Sequence, residues 1–394
     1  MKRLEFVFFD AGGGHRSAAT ALASVIENQQ RPWEVHLMNL QEVLDSLDIT
    51  RRLTGIRIQD VYNSMLKSGW TLGSPQLMRI LQAFIRLYHP LAVRRLEAYW
   101  RQSEPDMVVS FVPHFNRALC ESLRRTCPGK PFVTVLTDVA DYPPHFWMER
   151  QEQHFVCGSE RAVAQARAMG HPEERIFQAS GMILNPRFYD EMKVDRAEER
   201  QRLGLREDLP TGLMLFGGQG SRAMEEIVAR IEKSDLNLQL ILICGRNDAL
   251  AGSLRQRKSR LPLFVEGFTK QVPYYMALSD FFIGKPGPGS LSEAFFMHLP
   301  AIVECNAWTL PQERYNAVWI EEKGMGLVVR SFRDIVPALA RLLEPTALAG
   351  FRARLEKNQN RAVFEIPDML EEVFAQGKVS AASAGAVRAN ASFA

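Results

Sequence analysis

The sequence predicts an α/β protein made of two doubly wound, Rossmann-like domains with a cleft between them. Three observations carry that prediction. Short apolar runs alternate with amphipathic stretches, the pattern of successive parallel βαβ units. A glycine loop between an apolar run and an amphipathic helix occurs twice, in FFDAGGGHRSAATAL (8–22) and LFGGQGSRAMEEIVARI (215–231), so the halves read as distant copies of one architecture. The 394 residues also suffice for two domains that each bury a core.

The strand candidates of the first half are Leu4–Phe9, Trp33–Met38, Met107–Phe111, Phe132–Leu136, His154–Cys157 and Arg175–Gln178. Those of the second are Gly212–Phe216, Leu238–Ile243, Leu263–Val265, Phe281–Ile283, Ala301–Val303 and Leu327–Val329. Pro186 and the charged run DRAEERQRLGL place the boundary near residue 190. The expected plan is a first domain over 1–190, a second over 191–345, and a helix over 346–375 that returns toward the first. The small, polar residues 376–394 read as a disordered tail.

Hydrophobic content of 46% and charged content of 24% are those of a soluble globular chain. A net charge of +3 is too small to argue for nucleic acid. The charge is unevenly spread, since residues 51–101 carry nine Lys or Arg against Asp60 and Glu97. Five scattered cysteines without a Cys-x-x-Cys spacing suit a reducing compartment. The opening MKRLEFVFFD reads as a strand rather than a signal peptide, and no apolar run reaches membrane-span length. The expected setting is cytoplasmic.

No Gly-Lys-Ser/Thr and no G-x-G-x-x-G occurs, which excludes a Walker loop and the usual dinucleotide fingerprint. What remains is close backbone approach at glycine and free N–H groups at a helix start, or a plain strand-to-helix turn. A third loop, GKPGPGSLSEA (284–294), adds a Gly/Ser nest, with Ser290 or Ser292 as the expected helix cap and Glu293 in the first turn. Glu293 there is open to two roles: helix-end electrostatics, or a carboxylate gripping ribose hydroxyls. His15 follows three glycines directly and is a candidate general base, with Asp10 and Asp138 as candidates to orient it. His114 suits an acceptor site or a strand end equally, and Lys285 a phosphate or solvent. No Asp-x-Asp, His-x-x-x-His or Cys/His cluster occurs, and neither metal nor cofactor is expected.

Taken in order, GGGHRSA, TDVADYPPHFW, VEGFTKQVPYYMALSD and GKPGPGSLSEA resemble the monogalactosyldiacylglycerol (MGDG) synthase family. That family sits in glycosyltransferase family 28, within the GT-B superfamily that includes the peptidoglycan N-acetylglucosaminyltransferase. The resemblance implies a hexosyltransferase inverting at the anomeric carbon. Its UDP-sugar donor substrate would be held by the second domain and its diacylglycerol acceptor by the first. By position it implies His15 as the base, Phe268 beside the uracil, and Gly287, Gly289 and Ser290 as the phosphate loop. Glu293 matches the ribose carboxylate, Gln312, Glu313 and Asn316 the donor-sugar contacts, and Gly217, Gly218 and Gly220 the second glycine loop. Two departures, Pro113-His114 in place of His-Pro and NAWTLP before Gln312, bear on substrate choice. A polyprenyl-linked or soluble acceptor is the alternative, and a non-catalytic nucleotide-sugar-binding protein a further one. The basic, aromatic 51–101 segment suits either a core-packed surface helix or peripheral contact with an anionic membrane. The resemblance favours the second, at the inner membrane face.

Overall fold

The computed structural model describes residues 1–10, 13–44, 74–142 and 145–391. It divides into two compact units. The first gathers the described residues up to Leu44, Pro75–Asn185 and the chain from Arg361; the second is built on Pro186–Asn360.

The first unit holds β1 (Lys2–Phe8), β2 (Trp33–Asn39), β3 (Met107–Ser110), β4 (Phe132–Val135), β5 (His154–Cys157) and β6 (Ile176–Gln178). They form one parallel sheet in the order β2-β1-β3-β4-β5-β6. The runs are apolar because crossover helices cover both faces, so each strand is buried on both sides. The order reverses beside β1, and the crevice beyond such a switch point is where these folds bind ligands.

The 30-residue helix Ser74–Ser103 buries Ala92, Val93, Leu96 and Trp100 against this sheet, with Trp100 Nε1 donating to Ser122 Oγ at 2.8 Å. Its opposite face carries Leu87 at 74% exposure and Leu91 at 43%, one turn apart, beside exposed Arg86, Arg94 and Arg95. Core packing thus accounts for only one side of the helix. The basic segment's first part, 51–73, lies outside the described residues.

The second unit repeats the plan with β7 (Thr211–Leu215), β8 (Gln239–Ile243), β9 (Leu263–Glu266), β10 (Phe281–Gly284), β11 (Ala301–Glu304) and β12 (Gly326–Val329). Its parallel order is β12-β11-β10-β7-β8-β9, with the switch between β7 and β10. Asp280, just ahead of β10, ties the unit together. Its carboxylate accepts from Arg200 at 2.8 Å, Arg196 at 2.9 Å, Arg352 at 3.0 Å and the Thr211 N–H at 2.9 Å. The paired charges and the N–H hold its pKa below the usual range despite burial.

The C-terminal region departs from expectation. Helix Pro345–Leu355 belongs to the second unit, and the helix that rejoins the first begins only at Ala362. It continues to Ala391 through the stretch expected to lack structure, consistent with alanine's high helix propensity; residues 392–394 lie outside the described set. The returning helix packs on helix Gly14–Asn28. There Phe374 stacks 5.8 Å from Trp33, and Arg31 pairs with Asp368 and Glu371. Among the described residues no helix is long and apolar enough to cross a membrane.

Candidate active site

In the first unit the chemistry gathers at the carboxyl ends of β1, β3 and β4. Gly13 has φ +83°, the left-handed conformation that only glycine adopts without strain, and it caps helix Gly14–Asn28 without a side-chain bond. The first intrahelical bond is Ser17 N–H to the Gly13 carbonyl, so the N–H groups of Gly14, His15 and Arg16 have no acceptor within the helix. A Cβ at Gly14 would meet nothing within 4 Å, leaving the backbone open to a ligand.

His15 is the second residue of that helix. Its Nδ1 lies 2.9 Å from Thr137 Oγ1, and its ring rests 5.8 Å from that of Trp147. Burial lowers the imidazole to about 4, against the Phe111 carbonyl, which favours the protonated form. His15 is therefore unprotonated at neutral pH, the form that accepts a proton.

The expected orienting carboxylates are engaged elsewhere: Asp10 pairs with Arg16 at 2.9 Å, and Asp138 accepts from Trp147 Nε1 at 2.9 Å. Thr137 and Trp147 do the positioning instead. Trp147 is held by Asp141, whose carboxylate accepts its N–H at 2.6 Å, and by Asn116, which donates to its carbonyl at 2.9 Å. His114 takes φ +65°, costly for a non-glycine residue, with its N–H on the Phe146 carbonyl at 2.7 Å and its ring 4.1 Å from that of Phe146.

In the second unit the loops after β7, β8 and β10 interlock. Gly217 and Gly220 have φ +75° and +62°, and Arg246 N–H bonds the Gly218 carbonyl at 2.9 Å. A Cβ at Gly245 would fall 2.4 Å from that same carbonyl oxygen, and one at Gly220 2.6 Å from the Cys244 carbonyl. Glycine is thus obligatory for close backbone packing at both. Gly218 differs, since its Cβ position faces open space.

Helix Pro288–Phe296 starts from Gly287 with no side-chain cap, so neither Ser290 nor Ser292 caps it, and Ser292 Oγ is buried. Proline at the first position has no N–H to leave unsatisfied. Leu291 N–H already bonds Gly287, which leaves Gly289 and Ser290 N–H without an intrahelical acceptor.

Glu293 lies in the second turn, not the first, because the helix starts at Pro288; a helix-end electrostatic role is thereby removed. Burial raises its carboxyl to about 7. Lys285 Nζ reaches Glu313 Oε1 at 2.8 Å, and its Cε lies 3.5 Å from the Cβ positions of both Gly217 and Gly287. Asn316 donates to the Pro286 carbonyl at 2.7 Å, fixing helix Pro311–Lys323 to the loop, and Gln312 stands in that helix's first turn. Phe268 stands past the end of β9, 56% exposed, with the Arg246 guanidinium 4.8 Å over its ring. Sequence names Glu313 as a sugar contact and Lys285 for phosphate or solvent but not their pairing, and it assigns no role to Thr137 or the Trp147 platform. Their only signal was position inside motifs whose contacts are tertiary.

Two such units, each with open glycine loops at the carboxyl ends of its strands, make up the GT-B fold. Comparison with known proteins agrees. The family model "Monogalactosyldiacylglycerol (MGDG) synthase" matches residues 15–181, and "Glycosyltransferase family 28 C-terminal domain" matches 213–369. The chloroplastic MGDG synthase of Spinacia oleracea is 27% identical over 95% of this chain and 73% of its own. Among solved structures, Acinetobacter baumannii MurG superposes with TM-score 0.62 at 14% identity, covering 94% of this chain and all of that one. S. aureus MnaA with UDP gives 0.59 at 16% identity, covering 93% and 94%. The chain is thus similar to the MGDG synthases along most of its length, its first half matching that family's model and its second half the C-terminal domain of glycosyltransferase family 28.

Proposed function

We propose that the protein transfers a hexose from a UDP-sugar to diacylglycerol at a membrane surface, inverting the anomeric carbon. The observation that carries this reading is the presence, in one chain with this likeness, of an unprotonated His15 and an open Gly289–Ser290 helix start followed by the uncompensated Glu293. His15 accepts the proton of the acceptor hydroxyl as that oxygen bonds to the anomeric carbon. The bond to the donor's diphosphate breaks in the same step, and UDP leaves with the electron pair.

The N–H groups of Gly289 and Ser290, with Lys285 nearby, meet the charge that develops on the diphosphate. Glu293 binds the ribose hydroxyls, Phe268 borders the uracil, and Gln312 and Glu313 hold the sugar. No cofactor enters this scheme. Leu87 and Leu91, flanked by arginines, suit insertion at the headgroup level of an anionic bilayer.

The test is UDP release and product analysis with a panel of UDP-sugars, with and without diacylglycerol in anionic vesicles. Lipid-dependent release and a β-glycoside from an α-linked donor are expected. Release indifferent to diacylglycerol would overturn the acceptor assignment. Leu87→Ser/Leu91→Ser should lower vesicle association while sparing UDP binding.

A further inference from the structure

A second cluster of cations lies at the amino-terminal edge of the first unit's sheet, where the His15 site occupies the carboxyl edge. Arg124 comes from the last turn of helix Asn116–Thr126, Arg150 and Glu152 from the loop before β5, and Arg175 from the position just ahead of β6. Together with the turn at Gly170 and His171 they line an open surface groove of about 440 Å³. Glu152 is the only carboxylate in its lining.

Two of the neighbouring acids are occupied. Glu121 pairs with His89 and Arg125, and Glu173 with Arg167. Arg124 and Arg150 have no ion pair among the described residues. Arg175 meets only Glu152, at 3.4 Å, and that carboxylate is 69% exposed. Convergence is visible from beneath as well. The buried Cys120 thiol, 3.5 Å from the Glu152 carbonyl, feels Arg124 and Arg175 as cations and Glu152 and Glu121 as anions. Gly170, at φ +87°, keeps one wall open, since a Cβ there would meet nothing within 4 Å.

Three guanidiniums against one exposed carboxylate leave an excess of positive charge around the groove, which solvent and counterions screen when no ligand is present. An oxyanion with several acceptor oxygens compensates it, and planar guanidinium forks match phosphate. We infer that this groove binds a phosphate group, presented by a phospholipid headgroup or by a soluble phosphoester.

The test is titration calorimetry of the whole protein with inorganic phosphate, with UDP at saturation so that any donor loops are filled. Phosphate should bind the unaltered protein. Arg124→Gln/Arg150→Gln should weaken it roughly tenfold or more, as loss of charge-assisted bonds does. Arg333→Gln/Arg341→Gln, which removes the same charge from exposed positions of the second unit, should leave it within about twofold. Glu152→Gln should tighten binding, a gain that misfolding cannot imitate.

Phosphatidylcholine vesicles doped with phosphatidic acid separate the two sources. If the Arg124/Arg150 variant loses vesicle binding, the phosphate is a lipid headgroup; if it loses only inorganic phosphate, a soluble ester. No phosphate binding, or equal binding by the Arg124/Arg150 variant, would overturn the inference. Because UDP binding is measured in the same samples, failure here is distinct from failure of the donor assignment.

Discussion

Replacing Gly289 by alanine separates folding from nucleotide binding. Gly289 is the second residue of helix Pro288–Phe296, and a Cβ there would meet nothing within 4 Å. The free protein therefore accepts the methyl group without strain, and alanine within a helix is favoured over glycine by roughly 0.5–1 kcal/mol. Melting temperature should hold or rise slightly.

The bound state is different. In the proposed site a diphosphate oxygen comes within hydrogen-bond reach of the Gly289 N–H, and the Cβ would stand beside that N–H in the ligand's path. Overpacking of one methyl group costs about 1–3 kcal/mol, which is roughly a 5- to 150-fold loss of affinity. Titration calorimetry with UDP reads this directly. UDP affinity within twofold of the unaltered protein would show that the phosphates do not approach this helix start, and the assignment of Gly287, Gly289 and Ser290 would fall with it.

Other outcomes are equally definite. Glu293, raised from 4.5 to about 7, contributes stability that is complete below pH 4.5 and is lost as pH rises through 7. Glu293→Gln should thus melt higher than the unaltered protein at pH 8, converge with it near pH 5, and bind UDP less tightly. His15, lowered from 6.5 to about 4, contributes stability present above pH 6.5 and lost as pH falls through 4, so His15→Asn should flatten part of that acid loss. Thr137→Val should cut turnover roughly 2- to 12-fold, the value of one neutral hydrogen bond, with UDP affinity unchanged and Thr137→Ser restoring rate. Asp280→Asn strands three arginines, one of them buried, and should destabilise the second unit by about 3–5 kcal/mol in urea denaturation.

Much of the architecture is legible in the sequence because parallel strands covered on both faces appear as unbroken apolar runs. His154–Cys157 is bounded as expected, and Phe281–Ile283 differs from β10 only by Gly284. The loops were legible because glycine marks them, and at Gly13, Gly217 and Gly220 a positive φ explains why.

What composition could not show is contact across the fold. Asp10 and Asp138 looked suited to orient His15, yet one answers Arg16 and the other Trp147, while a threonine two residues past β4 takes the role. The start of helix Pro288–Phe296 is hidden for a related reason. Serines near a helix N-terminus suggest a cap, but Pro288 sets the first turn and Gly287 precedes it, moving Glu293 a turn inward. The C-terminal helix was cut short because Ala, Ser and Gly together read as low complexity, although the alanines favour helix.

The chain leaves the first unit at Asn185 and rejoins it at Arg361. During synthesis this imposes an order of events. The described part of the second unit runs unbroken from Pro186 to Asn360, while the first is completed only by the helix that begins at Ala362. Until Phe374 reaches Trp33, and Asp368 and Glu371 reach Arg31, the outer side of helix Gly14–Asn28 stays uncovered. A chain stalled or cleaved after residue 360 would hold the strands and helices of Pro186–Asn360 but lack the helix that covers Trp33 and Arg31 in the first unit.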